Sequence, residues 1–407
     1  MTADNSMKSV KNIRNFLWAI FLLSCWTLFW FTSWQSWLST VPWARFVVGL
    51  FLFLMPGFCL TRLIQPTPQK GLAYVISVSF AASIALTSIL GLLARIFQLS
   101  MPFVYVGLYL VGLLLIGILA WRSGLPSYRR WHRPDIWYSI AFLATVLAVI
   151  LIINIAIPPT AYGDDFTYNA QLNYFQNAQS YTFEYEDALS RMEIARFWFA
   201  FWPLIEAVLA ELSGIHGLLI TGIYIAPALV LLSSISIYSL SKILNLSPII
   251  SFLAVIAQTA SMLRLTTGNM VGNIFFDRLP EDKVAAAFVL SPVLIQVVVL
   301  FFDKPNKRRL VLLAITALAL MFTHSVILGM TVLICGFFSL ITLAIMKNKI
   351  AFVQMVAVLG LITLIPFWLR LTEGEKLFAF SITEYQDEGW DDILASPRLN
   401  ILGDNHF

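Results

Sequence analysis

Two adjacent carboxylates are the residues best suited to chemistry. Asp164 and Asp165 stand in the run Pro158-Pro-Thr-Ala-Tyr-Gly-Asp-Asp-Phe-Thr-Tyr-Asn169, at the start of a polar segment covering 158–214. Like charges side by side raise the pKa of one member and hold a proton or a cation. Either property suits activation of a hydroxyl nucleophile, as a general base or through a divalent ion. A plainer use exists, because aspartate commonly caps a helix and residues 166–179 are expected to form one. The two uses are compatible: one carboxylate can cap while the other points into a cavity. If a metal takes part, Mg or Mn at Asp164 and Asp165 is the expected form. Two carboxylates are too few ligands for Mg²⁺, so waters and a substrate phosphate would complete its octahedron.

A second polar segment, 264–283, carries Arg264, Arg278 and Lys283 on the side of the chain that is otherwise acidic. Their functional use would be phosphate capture, with arginine offering a bidentate fork. Their structural use would be local pairing with Asp277, Glu281 and Asp282. His324 falls at the turn between two short apolar runs, where it can bind phosphate, exchange a proton or cap a helix. His132 and His216 have no ligand-spaced partners, and Cys25, Cys59 and Cys335 lie in apolar runs. A His- or Cys-based zinc site and a disulfide framework are therefore not expected. No nucleotide-binding fingerprint is present.

The elements that must position these residues are read from composition. Of the 407 residues, 59% are hydrophobic and 12% charged, with a mean hydropathy of +0.82. Soluble domains hold about 45–50% apolar and about 25% charged residues, so soluble, disordered and nucleic-acid-binding classes are excluded. The chain reads as an all-α polytopic membrane protein whose partner is the lipid bilayer. A crossing needs about 20 apolar residues. That criterion predicts spans near 15–38, 43–64, 72–94, 103–121, 136–157, 215–240, 247–263, 284–302, a tight pair within 310–346, and 350–371, about eleven in all. Pro56-Gly57 in the second span predicts a kink that is tolerated because neighbours satisfy the freed carbonyls.

Lysine and arginine bias in short loops sets orientation. With the N-terminus in the cytoplasm, alternation puts 16 of 26 basic residues inside and 19 of 22 acidic residues outside. The outer segments are then 158–214, 264–283 and 372–407. The aromatic stretch 196–213, interrupted by Glu206 and Glu211, is expected to lie as a helix on the outer surface, with Trp198 and Trp202 at headgroup level. The chain divides into a four-span module (1–121), a basic cytoplasmic linker (122–135), a membrane domain (136–371) and a polar tail (372–407) that reads either as a natural end or as a cut before further structure. An active cavity is expected between the 164–179 and 264–283 segments, on the outer face.

The order of elements over 136–371 resembles the GT-C class of integral-membrane glycosyltransferases: basic inner linker, one span, then an outer loop opening on Asp164-Asp165 and running through interfacial helices. The resemblance implies that one of these aspartates deprotonates or orients an acceptor hydroxyl. It implies a lipid-linked, polyprenyl-phosphate sugar as donor and an extracytoplasmic glycan or lipid as acceptor, with Arg264, Arg278, Lys283 and His324 meeting the phosphate. The expected location is the bacterial inner (plasma) membrane, with the catalytic face extracytoplasmic. The sequence departs from the class in its four preceding spans and in lacking a C-terminal soluble domain. Competing readings are a polymerase or ligase of lipid-linked glycans, a transporter, and a non-enzymatic envelope component. Nearly charge-free spans without paired halves count against the transporter.

Overall fold

The computed structural model of the chain describes residues 20–32, 34–65, 71–123, 163–182, 198–264, 281–346 and 348–387. Among them there are helices and turns but no strand. The chain divides into two compact units, 1–363 and 364–407. The first holds α1 (Ile20–Phe31), α2 (Trp34–Trp37), α3 (Pro42–Ile64), α4 (Leu72–Ile96), α5 (Met101–Ser123), α6 (Gly163–Asn177) and α7 (Trp202–Ser213). It continues with α8 (Gly217–Ile243), α9 (Pro248–Arg264), α10 (Asp282–Asp303), α11 (Lys307–Thr323) and α12 (Ser325–Met346). Helix α13 (Lys349–Asp387) begins in the first unit and supplies the helical part of the second.

Among the described residues, seven helices are long and apolar enough to cross a bilayer: α3, α4, α5, α8, α10, α12 and the Lys349–Trp368 part of α13. The molecule is thus an all-α integral membrane protein. The long apolar run at 310–346 does divide, at His324, into α11 and α12. The span expected at 136–157 lies outside the described residues. The span expected at 15–38 is, where described, α1 followed by a break and the single turn α2. Helices α9 and α11 have 17 residues each, at the short limit for a crossing.

Two helices are enclosed by the others. In α4 and α10, 72% of the spanning window is buried, against 22% in α5 and α12. The sequence of α4 explains its place: small residues (Ser77, Ser79, Ala81, Ala82, Ser83, Ala85 and Ser88) are buried along it. Between apolar helices in lipid, close approach of small residues supplies the dispersion contact that water would otherwise drive. The closest approach is at Gly57 of α3, whose N–H donates to Ser83 Oγ at 3.2 Å. The neighbouring helix thus supplies a bond beside Pro56, to the Gly57 N–H rather than to a carbonyl that the proline frees. Polar contacts also tie α8 to α10: Ser239 Oγ donates to Gln296 Oε1 at 2.9 Å, and Gln296 Nε2 donates to the Ser236 carbonyl at 2.7 Å.

Hydrogen bonds sort the helix ends into two groups. At one end, Gln35 reaches the Glu211 and Leu212 carbonyls, Arg95 reaches Trp198, Tyr181 N–H meets the Leu99 carbonyl, and Phe201 N–H meets that of Phe322. At the other end, Tyr74 bonds Gln65, and Arg309 bonds the Leu300 carbonyl and pairs with Asp303 at 3.5 Å. The charge pattern assigns each group of segments to one common side.

Helix α7 departs from the expected surface helix. It is too short to cross, yet all of its residues except Glu211 are buried. It packs against α3, α4 and α6, with Ser213 beside Gly49 and Leu204 beside Gly91. Pro203 starts it, and Gly214 ends it in the left-handed region at φ 61°, its N–H bonding the Ala210 and Glu211 carbonyls. Charge in its sequence pointed to water; the packing instead removes Glu206 from it.

Candidate functional site

Helix α6 starts at Gly163, so Asp164 and Asp165 stand in its first turn, where acidic residues favour the positive end of the helix dipole. Their side chains lie outside the described residues, as do Arg278 and the side chain of Arg264. One turn beyond Asp164, the Tyr168 hydroxyl donates to Asp282 Oδ1 at 2.6 Å. This bond joins the segment of the acidic pair to the start of α10, the two segments expected to flank a cavity. Asp282, flanked by Glu281 and Lys283, therefore stands against α6.

Both carboxylates at the start of α10 are buried. Lys283 Nζ lies 3.4 Å from Glu281 Oε2, so for this cation the local pairing weighed from sequence is what the geometry contains. The lysine side chain keeps 30% of its surface exposed and its partner 2%. The charged tip can thus reach a ligand while its partner stays fixed. Immediately afterwards α10 takes a π-helical stretch, Ala285–Leu290. Such wide turns in otherwise α-helical segments occur often at functional sites.

Glu206 of α7 faces the same region. It is 1% exposed, and its Oε1 has no hydrogen-bond partner among the described residues. Burial raises its pKa well above the ordinary carboxyl value; a hydrogen bond with the Trp202 side chain opposes this, and the charge of Asp282 reinforces it. Gln171 of α6 is 3% exposed, and its amide atoms likewise have no partner among the described residues. Unpaired buried polar groups cost about 1–3 kcal/mol each.

The state of Glu206 gives a stability prediction. An acid whose pKa is raised by folding contributes stability while protonated, fully below the unfolded value of about 4.3, and loses it as pH rises through the folded value. Thermal stability of the purified protein is expected to fall on going from acidic to alkaline buffer. Glu206→Gln, a neutral shape match, should flatten that dependence and raise stability at the alkaline end. A parallel pH profile for the variant would show that Glu206 is not held neutral.

Arg95, near the end of α4, was not singled out in the sequence. It is 4% exposed, lies 5.3 Å from the Phe175 ring centre and 4.7 Å from that of Phe201, and donates from Nη1 to the Trp198 carbonyl at 2.6 Å. The guanidinium sits between two aromatic faces and ties α6 and the start of α7 to α4. Its only sequence signal is a cation at the edge of an apolar run. Tyr181 completes this brace, donating to the Phe175 carbonyl at 2.5 Å.

His324 stands between α11 and α12. Its N–H bonds the Leu320 carbonyl, and its Nδ1 accepts from the Ile327 N–H at 3.4 Å, so it caps α12. The side chain thus caps a helix start, whereas the structural use expected from sequence is a cap at a helix C-terminus. Phe322, two residues earlier, bonds Phe201 through the backbone and stacks edge-on to its ring at 5.5 Å. Among the described residues no group of three or more His, Cys, Asp and Glu is placed to hold a metal ion.

The architecture defines a polytopic helical membrane protein with a buried polar site at one end of its bundle. Comparison with protein families, curated proteins and solved structures finds no significant match to the chain.

Proposed function

We propose that this protein is a glycosyltransferase of the GT-C type, moving a sugar from a polyprenyl-phosphate donor to an acceptor hydroxyl. The observation that carries this reading is the Tyr168–Asp282 hydrogen bond, 2.6 Å long. It ties α6, one turn after Asp164, to Asp282, the neighbour of Lys283 at the head of α10.

In the proposed step, Asp164 or Asp165 accepts the proton of the acceptor hydroxyl as its oxygen bonds the anomeric carbon. The bond from that carbon to the phosphate oxygen breaks, and its electron pair leaves on the phosphate. Cations neutralise this leaving group, so one base suffices and no strong acid is needed. Lys283 supplies that charge, with Arg264, Arg278 and His324 as further partners. Exchange of Lys283 between Glu281 and the phosphate would hold it ready without donor. If a divalent ion takes part, Asp164 and Asp165 are the residues to hold it.

The direct test incubates the purified full chain, in lipid nanodiscs, with polyprenyl-phosphate-linked hexoses and pentoses and a mixed glycan acceptor. Release of free polyprenyl phosphate with a matching glycosylated product is expected for at least one donor. No release from any donor would remove the reading. A polymerase or ligase would instead consume only donors that carry preassembled glycans.

The reading also fixes orientation, with the site facing outward and the N-terminus in the cytoplasm. In a Cys25→Ser background, a cysteine at Gln179, which is exposed, should react with a membrane-impermeant thiol reagent on intact cells. One at Ser127, in the basic linker, should react only after permeabilisation. The reverse pattern would overturn the outward-facing site.

A further inference from the structure

Beside the acidic site, a cleft of about 500 Å³ opens between α6, the end of α7 and the start of α8. Its polar lining is Asn169, Asn173, Gln176, Asn177, Glu211 and His216. The volume falls in the range of small-molecule sites, about 300–1,000 Å³. The chemistry of the lining is narrow: four carboxamides, one imidazole and one carboxylate, with no lysine or arginine among the lining residues. Each carboxamide offers both donors and an acceptor, which is what a hydroxyl group, itself donor and acceptor, requires. A phosphate or carboxylate ligand would meet no cation here and would be repelled by Glu211.

Part of the lining is set before a ligand arrives. Asn177 Nδ2 donates to Asn173 Oδ1 at 2.7 Å, fixing which faces of the two amides remain for other partners. His216 Nδ1 accepts from the Leu218 N–H at 3.3 Å, so the neutral ring carries its proton on Nε2 and is a donor. The walls stand close because Gly217 has no side chain: a Cβ there would come within 2.8 Å of Gln176 Oε1.

We propose that this cleft binds a neutral polyhydroxylated ligand, a sugar unit of a glycan or glycolipid. Asn169, Asn173 and Gln176 follow one another at helical spacing along α6, and the preceding turn of that series is position 165. A sugar between Asn169 and Asn173 lies about 6–12 Å along the helix from position 165, between one and two turns of rise. The cleft is then the subsite that presents the acceptor; that role rests on the transferase reading, whereas sugar binding does not.

The test uses the full chain in nanodiscs or a sugar-free detergent, since maltoside detergents would occupy the cleft. Saturation-transfer NMR is run with methyl glucoside, methyl mannoside, lactose and cellobiose, with glucose 1-phosphate as the anionic comparison. Saturable transfer from at least one neutral sugar is expected, with little from the phosphate. A double variant, Asn173→Leu with Gln176→Leu, should weaken it at least about tenfold, while Thr342→Ala on α12 leaves it intact. A short-chain glycolipid that competes where its free headgroup does not identifies a membrane source for the sugar. No binding by any neutral sugar, or binding unchanged in the double variant, overturns the cleft assignment. Sugar binding without any donor turnover would instead remove the transferase reading and leave the cleft standing. A double variant that elutes as aggregate is replaced by Asn169→Ala and His216→Ala, read against the same threshold.

Discussion

Purified protein carrying both Asp164→Asn and Asp165→Asn should transfer sugar about 10²–10⁴-fold more slowly than the parent, the usual contribution of one positioned base. Donor affinity should change little, because the carboxylates act on the acceptor hydroxyl rather than on the phosphate. One single variant should match the double and the other should retain most activity, which identifies the base. Replacing Lys283 by glutamine should behave differently, weakening both donor binding and turnover, since the cation meets the phosphate in ground and transition states alike. A paired stopped assay, with donor binding and product measured on the same preparations, separates the two patterns. Full activity in the double asparagine variant would exclude both residues as the base.

The second large effect concerns the frame that holds the site. A Cβ added at Gly57 would stand 2.1 Å from the Ser79 carbonyl oxygen and 2.6 Å from the Ser83 backbone nitrogen. Backbone cannot yield as a flexible side chain does, so α3 and α4 must separate. Gly57→Val is therefore expected to cost about 3 kcal/mol or more and to cut the yield of monodisperse protein several-fold on size exclusion. Gly117→Val is the matched control, because nothing lies within 4 Å of its added Cβ. Equal yields for the two variants would mean that the α3–α4 contact does not hold the bundle.

Much of this frame can be read from sequence for simple reasons. The 310–346 run is too long for one crossing, so a turn near its middle was expected, and His324 makes it. Where described hydrogen bonds join polar segments, as from Gln35 to Glu211 and from Arg95 to Trp198, they join segments that loop charge puts on one side. The site was legible only in part. Tyr168 carries no sequence signal that would pair it with Asp282, 114 positions away. Arg95 is held by Phe175 and Phe201 from distant segments, and aromatic residues are too common here to single them out. Helix α7 misled because two carboxylates in twelve residues normally mean water. Glu206 is instead buried, with its carboxyl pKa pushed up by desolvation, through packing from α3, α4 and α6 that no local pattern announces.

The central claim is that a lipid-phosphate donor occupies the bundle end where α6, α7 and the head of α10 meet. Photolabelling tests it most directly, using a polyprenyl phosphate with a diazirine close to its phosphate, on the full chain in nanodiscs, followed by peptide mapping. The account predicts label within 163–182 or 281–290, suppressed by excess unlabelled polyprenyl phosphate and reduced in Lys283→Gln. Label spread over the lipid-facing helices α5 and α12, with no competition by unlabelled polyprenyl phosphate, would contradict it.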